Sequence, residues 1–195
     1  MKTQISTIFF LLIFMAKIAY SQNIDNITSL NFSYLGPVIS FAYNNVKYTD
    51  WFETTPPSTK TKKMSGYIAS GGIAFNIFAA DFCGDLQIKY ANNNLENTLK
   101  YIEVSAAGKY LFYQVSNEIT LGSGLGIYLE IPTPNEKHNG STGLQLPFTI
   151  LVDTSRETKL FMDVFFRYGT FGTGTDTRSI SVGSNVGFIF KVGRV

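Results

Sequence analysis

In four segments from residue 119 onward, every second side chain is apolar. One face carries Ile119, Leu121, Ser123, Leu125, Ile127, Leu129 and Ile131, followed by Leu144, Leu146, Phe148, Ile150 and Val152. It continues with Leu160, Met162, Val164, Phe166 and Tyr168, and then Ile180, Val182, Ser184, Val186, Phe188, Phe190 and Val192. Only Ser123 and Ser184 break the rule. The positions between them are mostly Gly, Thr, Ser, Asn, Gln and charged residues. Successive side chains of a strand point to opposite faces, so this period of two predicts four amphipathic strands. A helix is disfavoured, because Gly122, Gly124, Gly126, Gly183 and Gly187 would each cost about 1 kcal/mol relative to alanine in its interior.

Four earlier segments follow the same pattern with more noise: residues 30–44, 66–81, 85–91 and 98–113. Eight strands suffice to close a barrel. The connections read as long at 45–65, 92–97, 132–142 and 169–178, and as short near Cys83, Asn117 and Ser155. Long links on one rim and short turns on the other are the pattern of an outer-membrane barrel. Composition supports this: charged residues make up only 15% of the chain, against about 25% in typical soluble domains. No apolar run reaches the roughly 18 residues that a membrane-spanning helix needs, which leaves a closed barrel as the way to cross a bilayer.

The expected fold is therefore all-β, an eight-stranded antiparallel up-and-down transmembrane β-barrel. Residue size sets its faces. The polar face is rich in small residues with a few long charged ones, which suits a crowded lumen, whereas the bulky aliphatics and Phe suit lipid. Tyr43, Tyr67, Tyr90, Tyr110 and Tyr168 stand near segment ends, where an interfacial aromatic girdle is expected. Two alternatives stay open at this point. One is a narrow solute channel, and the other is a soluble periplasmic, lipocalin-like ligand-binding barrel with its faces reversed.

The N-terminus reads as a secretory signal peptide over residues 1–21, with the barrel domain over 22–195. Lys2 provides the positive region, Ile8 to Ala16 the apolar core, and Ala19 and Ser21 the small residues of a cleavage site. Without Lys2 and Lys17 the chain has 16 − 2 = 14 basic residues against 14 acidic ones. That balance offers no electrostatic attraction for nucleic acid. Cys83 is the single cysteine, so no internal disulfide is available, and its place in Asp81-Phe-Cys-Gly-Asp85 reads as a turn.

The last segment holds Asn185, Gly187, Phe190 and Val192, spaced like the C-terminal assembly signal of outer-membrane proteins that the barrel-insertion machinery reads. It departs from that signal in ending on Val192 rather than an aromatic, with Gly193-Arg194-Val195 beyond. Together with the signal peptide, the eight segments and Tyr101-Ile-Glu-Val, the chain resembles the outer-membrane-protein β-barrel domain family of Bacteroidota. Where family members often carry a proline after the fourth-strand motif, this chain has Ser105-Ala106-Ala107. The resemblance implies fold and an outer-membrane location more than an activity.

Inward positions bring together Lys89, Glu103, Lys109, Glu130, Lys159, Asp163, Arg167 and Lys191. Buried charges must pair, which makes a salt-bridged lumen the expected reading, with Lys89 meeting Glu103 and Lys191 meeting Asp163. Asp163 and Arg167 lie about 13 Å apart along one strand, so each is expected to bond to a neighbouring strand. Trp51, Phe52, Lys60, Lys62 and Lys63 fall in the first long link, an aromatic and basic surface loop for contact with a surface protein, a polysaccharide or lipid phosphates. His138 near Ser141 lacks the preorganisation of a hydrolase site. The Gly122–Gly126 run lies inside a strand, opens no helix and reads as close lumen packing. The expectation is a non-enzyme without cofactor or metal, whose partners are outer-membrane lipid and, during assembly, the insertion machinery.

Overall fold

The computed structural model describes residues 32–52, 58–94, 98–133, 141–171 and 178–194. The expected signal peptide and His138 lie outside them. The strands are β1 (Phe32–Phe52), β2 (Ser58–Ala79), β3 (Phe82–Asn94), β4 (Thr98–Gln114), β5 (Ile119–Pro132), β6 (Ser141–Asp153), β7 (Thr158–Phe171) and β8 (Arg178–Arg194). Each pairs antiparallel with the next, and β8 pairs with β1 from Phe32↔Arg194 to Lys47↔Arg178, closing the barrel. Closure removes both sheet edges, so the backbone's donors and acceptors are met by neighbouring strands. Pro37 and Pro147 lack a donor, and the β1–β8 and β5–β6 ladders each skip two steps there. The β4–β5 register shifts between Leu111 and Tyr113, a bulge near the rim formed by the turns at 80–81, 115–118 and 154–157.

The faces fall as the alternation predicts. Ile39, Phe41, Ile73, Ile88, Leu144, Phe148, Val164, Val182, Phe188 and Phe190 are among the large apolar side chains left exposed on the outside. Lys89, Glu103, Lys109, Asp163, Arg167 and Asn185 are buried inside. Tyr43 and Tyr67 are opposite one another across β1–β2 with ring centroids 5.5 Å apart, and Phe82 meets Tyr110 at 5.2 Å toward the other rim. The barrel is thus of the transmembrane kind, and the reversed faces of a lipocalin-like barrel are not those of this fold.

Three expectations about the connections are corrected. The link at 92–97 is not long, because Asn92 to Asn94 pair with Thr98 to Lys100. Residues 45–65 are not a long loop: Lys47 to Phe52 pair with Ser58 to Lys63 in register, so Trp51, Phe52, Lys60, Lys62 and Lys63 stand on a β-ribbon. Above the membrane level neither face needs to be apolar, which is why the alternation fades there while the pairing continues. Cys83 is not a turn residue either. The turn is Ala80–Asp81, with Ala80 in the left-handed region at φ 51°, and Cys83 is buried on the lumen side of β3.

Inside the barrel, layers alternate. Along β7 alone the inward positions read Lys159, Phe161, Asp163, Phe165 and Arg167. Near the short-turn rim Tyr34, Val38, Ala74, Leu151, Phe161 and Ile189 form one apolar cluster, joined by Phe32, Phe78 and Leu111. Farther along, Ala42, Ile68, Ala91, Tyr101 and Phe165 form a second. The charged residues are held between and beside these two layers.

Candidate functional site: the lumen charge network

Three strands carry the network: β3 through Asp85 and Lys89, β4 through Glu103 and Lys109, and β7 through Asp163 and Arg167. The inward parity of each strand puts these side chains in the lumen, and burial then forces them to find partners. In the cluster nearer the short-turn rim, the Lys109 ammonium lies 2.7 Å from Asp85 and 2.9 Å from Asp163. Thr149 donates to Asp163 at 2.6 Å, Gln87 donates to Asp85 at 2.9 Å, and Asn76 donates to Asp85 at 3.2 Å. The Lys109 ammonium also stands 5.7 Å from the centroid of the Phe161 ring.

Glu103 is the hub of the second cluster. Lys89 lies 2.7 Å from its Oε1, and Arg167 grips both oxygens, Nη1 to Oε2 at 2.8 Å and Nη2 to Oε1 at 2.6 Å. A bidentate guanidinium fixes the carboxylate in angle as well as distance. Arg167 Nε donates to Gln145 at 2.7 Å, and Lys89 donates to Asn185 at 3.1 Å. The guanidinium lies over Phe165 at 4.2 Å and near Tyr128 at 4.9 Å, a cation–π sandwich in the buried interior.

Lys89 does meet Glu103, its opposite across β3–β4. Lys191 does not meet Asp163. The register sets Asn185 opposite Asp163, and Lys191 is six residues farther along β8, about 20 Å away. There its ammonium sits 3.6 Å over the Phe32 ring. Asp163 and Arg167 each bond to the neighbouring strand as expected, to Thr149 and Gln145 opposite them on β6, and each also reaches across the lumen to β4 for an ion pair. Lys159 pairs with Asp153, its opposite on β6, at the short-turn rim. Glu130 lies opposite Glu103 on β5 and is buried, yet among the described residues it forms no ion pair.

The sequence reading missed Asp85, which it assigned to a turn, and the neutral partners Gln87, Gln145 and Thr149. The signal was available in the parity of 85, 87 and 89, which continues the inward face of β3 down to Cys83. Asn185 and Gly187 of the assembly-like pattern point inward, while Phe190 and Val192 are exposed on the outer face. Ser141 shares a 3.2 Å hydrogen bond with the Tyr128 hydroxyl inside the lumen. The Gly122–Gly126 run is explained by backbone contact: a Cβ on Gly124 would meet the carbonyl of Gly108 and the Cα of Lys109 on β4. Close approach of strands requires glycine at 124, while the Leu111 and Ala107 side chains also crowd Gly122 and Gly126.

What the fold and this lumen define is a small closed barrel that is apolar outside and plugged by ion pairs within. In fold it is similar to the outer membrane protein OprG from Pseudomonas aeruginosa, with TM-score 0.53 and 13% identity over 84% of this chain and 97% of that one. Neisserial surface protein A aligns with TM-score 0.49 and 14% identity, over 80% of this chain and 97% of that one. Ail of Yersinia pestis aligns with TM-score 0.40 and 13% identity, over 82% and 99%. No family model and no curated protein matches the chain, so the Bacteroidota resemblance rests on the sequence motifs alone.

Proposed function

We propose that this chain is a non-enzymatic integral outer-membrane barrel with a closed lumen and a structural or surface-interaction role. The observation that carries the reading is the inversion of polarity. A belt of exposed Leu, Ile, Val and Phe surrounds the barrel while seven charged side chains, Asp85, Lys89, Glu103, Lys109, Glu130, Asp163 and Arg167, are buried in it. In water such a belt would be far larger than the apolar patches that soluble monomers tolerate, whereas in lipid it is the required surface. Both termini then lie on the periplasmic side with the short turns, and the β1–β2 ribbon projects outward. In this reading Asn185, Gly187, Phe190 and Val192 serve recognition by the insertion machinery, and the ribbon with Trp51, Phe52, Lys60, Lys62 and Lys63 faces surface partners.

The trans-lumen pairs Lys109–Asp163 and Arg167–Glu103 argue for a plug rather than a path. Each stretches between β4 and β7 and is flanked by Phe161 or Phe165, so an ion passing through would have to break pairs whose partners are then stranded in the buried interior. The purified protein in planar lipid bilayers is therefore expected to give no single-channel conductance. A reproducible unitary conductance would overturn the closed lumen.

A further inference from the structure

One ammonium shared between two carboxylates leaves a negative charge over. In the cluster nearer the short-turn rim, Lys109 meets Asp85 Oδ2 and both oxygens of Asp163, which engages its three protons. All three side chains are buried. Lys89, two residues beyond Gln87 on β3, is held by Glu103 and Asn185. In that other cluster Lys89 and Arg167 stand against Glu103 and Glu130, two charges of each sign. The buried charged side chains among the described residues are therefore four acids, Asp85, Glu103, Glu130 and Asp163, and three bases, Lys89, Lys109 and Arg167. The acid in excess belongs to the Asp85–Lys109–Asp163 cluster.

Two carboxamides flank this cluster, and each has an oxygen that nothing meets. Asn76, opposite Asp85 across β2–β3, donates its amide nitrogen to Asp85 Oδ1 at 3.2 Å and to the Cys83 sulfur at 3.5 Å. Gln87 donates to Asp85 Oδ2 at 2.9 Å and to Asp163 Oδ2 at 3.5 Å. Asn76 Oδ1 and Gln87 Oε1 are buried, and among the described residues neither accepts a hydrogen bond. Turning either amide over would set its oxygen against a carboxylate. Nitrogen and oxygen of one amide are about 2.2 Å apart, so both carbonyl oxygens lie within about 5.5 Å of Asp85. A buried acceptor without a donor is destabilising, and here two of them stand beside an unbalanced negative charge.

We propose that the carbonyl oxygens of Asn76 and Gln87 hold one monovalent alkali cation beside Asp85. Hard cations take carboxylate and carboxamide oxygens as ligands, and that is the donor set here. One positive charge balances the cluster, whereas a divalent ion would overshoot it. Phe78, Leu111, Leu151 and Phe161 are the next inward positions toward the short-turn rim after Asn76, Lys109, Thr149 and Asp163, and they form an apolar layer. The ion is therefore enclosed as the barrel closes and belongs to the plug rather than to a path. The site rests on the closed barrel proposed above and not on its surface role. The sequence reading, which expects no metal, does not show it, because Asn76 meets Asp85 only through the β2–β3 register.

The test uses the full-length protein refolded in neutral detergent, with folding verified by its heat-dependent gel mobility, and sodium as the probe. The urea transition of the compact form is followed at rising sodium chloride, with N-methylglucamine chloride holding the ionic strength constant. One bound ion raises the ratio of folded to unfolded chain by up to about tenfold for each tenfold rise in sodium above the dissociation constant. Asp85→Asn, which balances the cluster, and Gln87→Leu, which removes one ligand oxygen, should each flatten that dependence. Glu130→Gln, in the other cluster, should keep it. If Asp85→Asn does not fold, Gln87→Leu decides. A wild type indifferent to sodium, and to potassium in its place, would overturn the site and leave the two oxygens to internal water. Full dependence in a folded Gln87→Leu, or its loss in Glu130→Gln, would put the ion elsewhere and overturn the site as well. A wild type without a mobility shift would remove the barrel reading itself.

Discussion

Replacing Glu103 by alanine is expected to destabilise the folded barrel by about 3–5 kcal/mol, the cost of breaking a buried ion pair from one side. Glu103 is the carboxylate that both Lys89 and Arg167 bind, and all three are buried. Its removal leaves two buried cations with Asn185 and Gln145 as their remaining hydrogen-bond partners. Glu103→Gln keeps an acceptor and should lose less. Glu130, opposite Glu103 and held by no ion pair among the described residues, provides the internal control: Glu130→Gln removes a like charge and should cost far less than Glu103→Ala. The urea midpoint for loss of the compact gel form, measured in lipid vesicles, reads each difference. A Glu103→Ala barrel as stable as the wild type would mean that the network does not hold the lumen together.

A β-branched residue at Gly124 should have a comparable effect for a different reason. The Cβ would run into the Gly108 carbonyl and the Cα of Lys109, which lies 2.8 Å away, and these backbone atoms of β4 can yield only if the strands separate. Gly124→Val is therefore expected to cost more than the roughly 1–3 kcal/mol of ordinary overpacking, and to lower the yield of folded barrel sharply. Gly71→Ala is the contrast, since its nearest obstacle is the Val38 carbonyl at 3.8 Å. Folding yield is measured by the fraction of compact form after refolding into detergent. Equal yields for the two variants would contradict the steric account.

The membrane-level part of this fold was legible because lipid and lumen impose opposite demands on alternate residues. Strands β5 to β8 read cleanly for that reason, and their faces came out as expected. The β1–β2 ribbon did not read as strand because polar residues occupy both parities there, Lys47, Thr49, Thr61 and Lys63 on one and Asp50, Ser58, Lys60 and Lys62 on the other, so the period of two carries no information. Charge pairing was legible only where neighbours in register sufficed, as with Lys89 and Glu103. The ion-pair partners of Asp163 and Arg167 lie across the lumen on β4, at a sequence distance that no local pattern encodes. Lys191 was mispaired because its offset from Asp163 is fixed by the β7–β8 register, which sets Asn185 opposite Asp163 and which no local pattern encodes. Asn76 was hidden in the same way, since it meets Asp85 only through the β2–β3 register.

The central claim is that this chain is a membrane-embedded closed barrel, and gel mobility tests it most directly. Outer membranes from cells making the protein are dissolved in SDS and run with and without boiling, with the aqueous fraction beside them. A closed ladder of eight strands resists SDS until heated, so the account predicts a membrane-bound band that changes mobility on boiling. A band that stays in the aqueous fraction and migrates identically in both lanes would contradict it, and would return the apolar face to the inside of a soluble barrel.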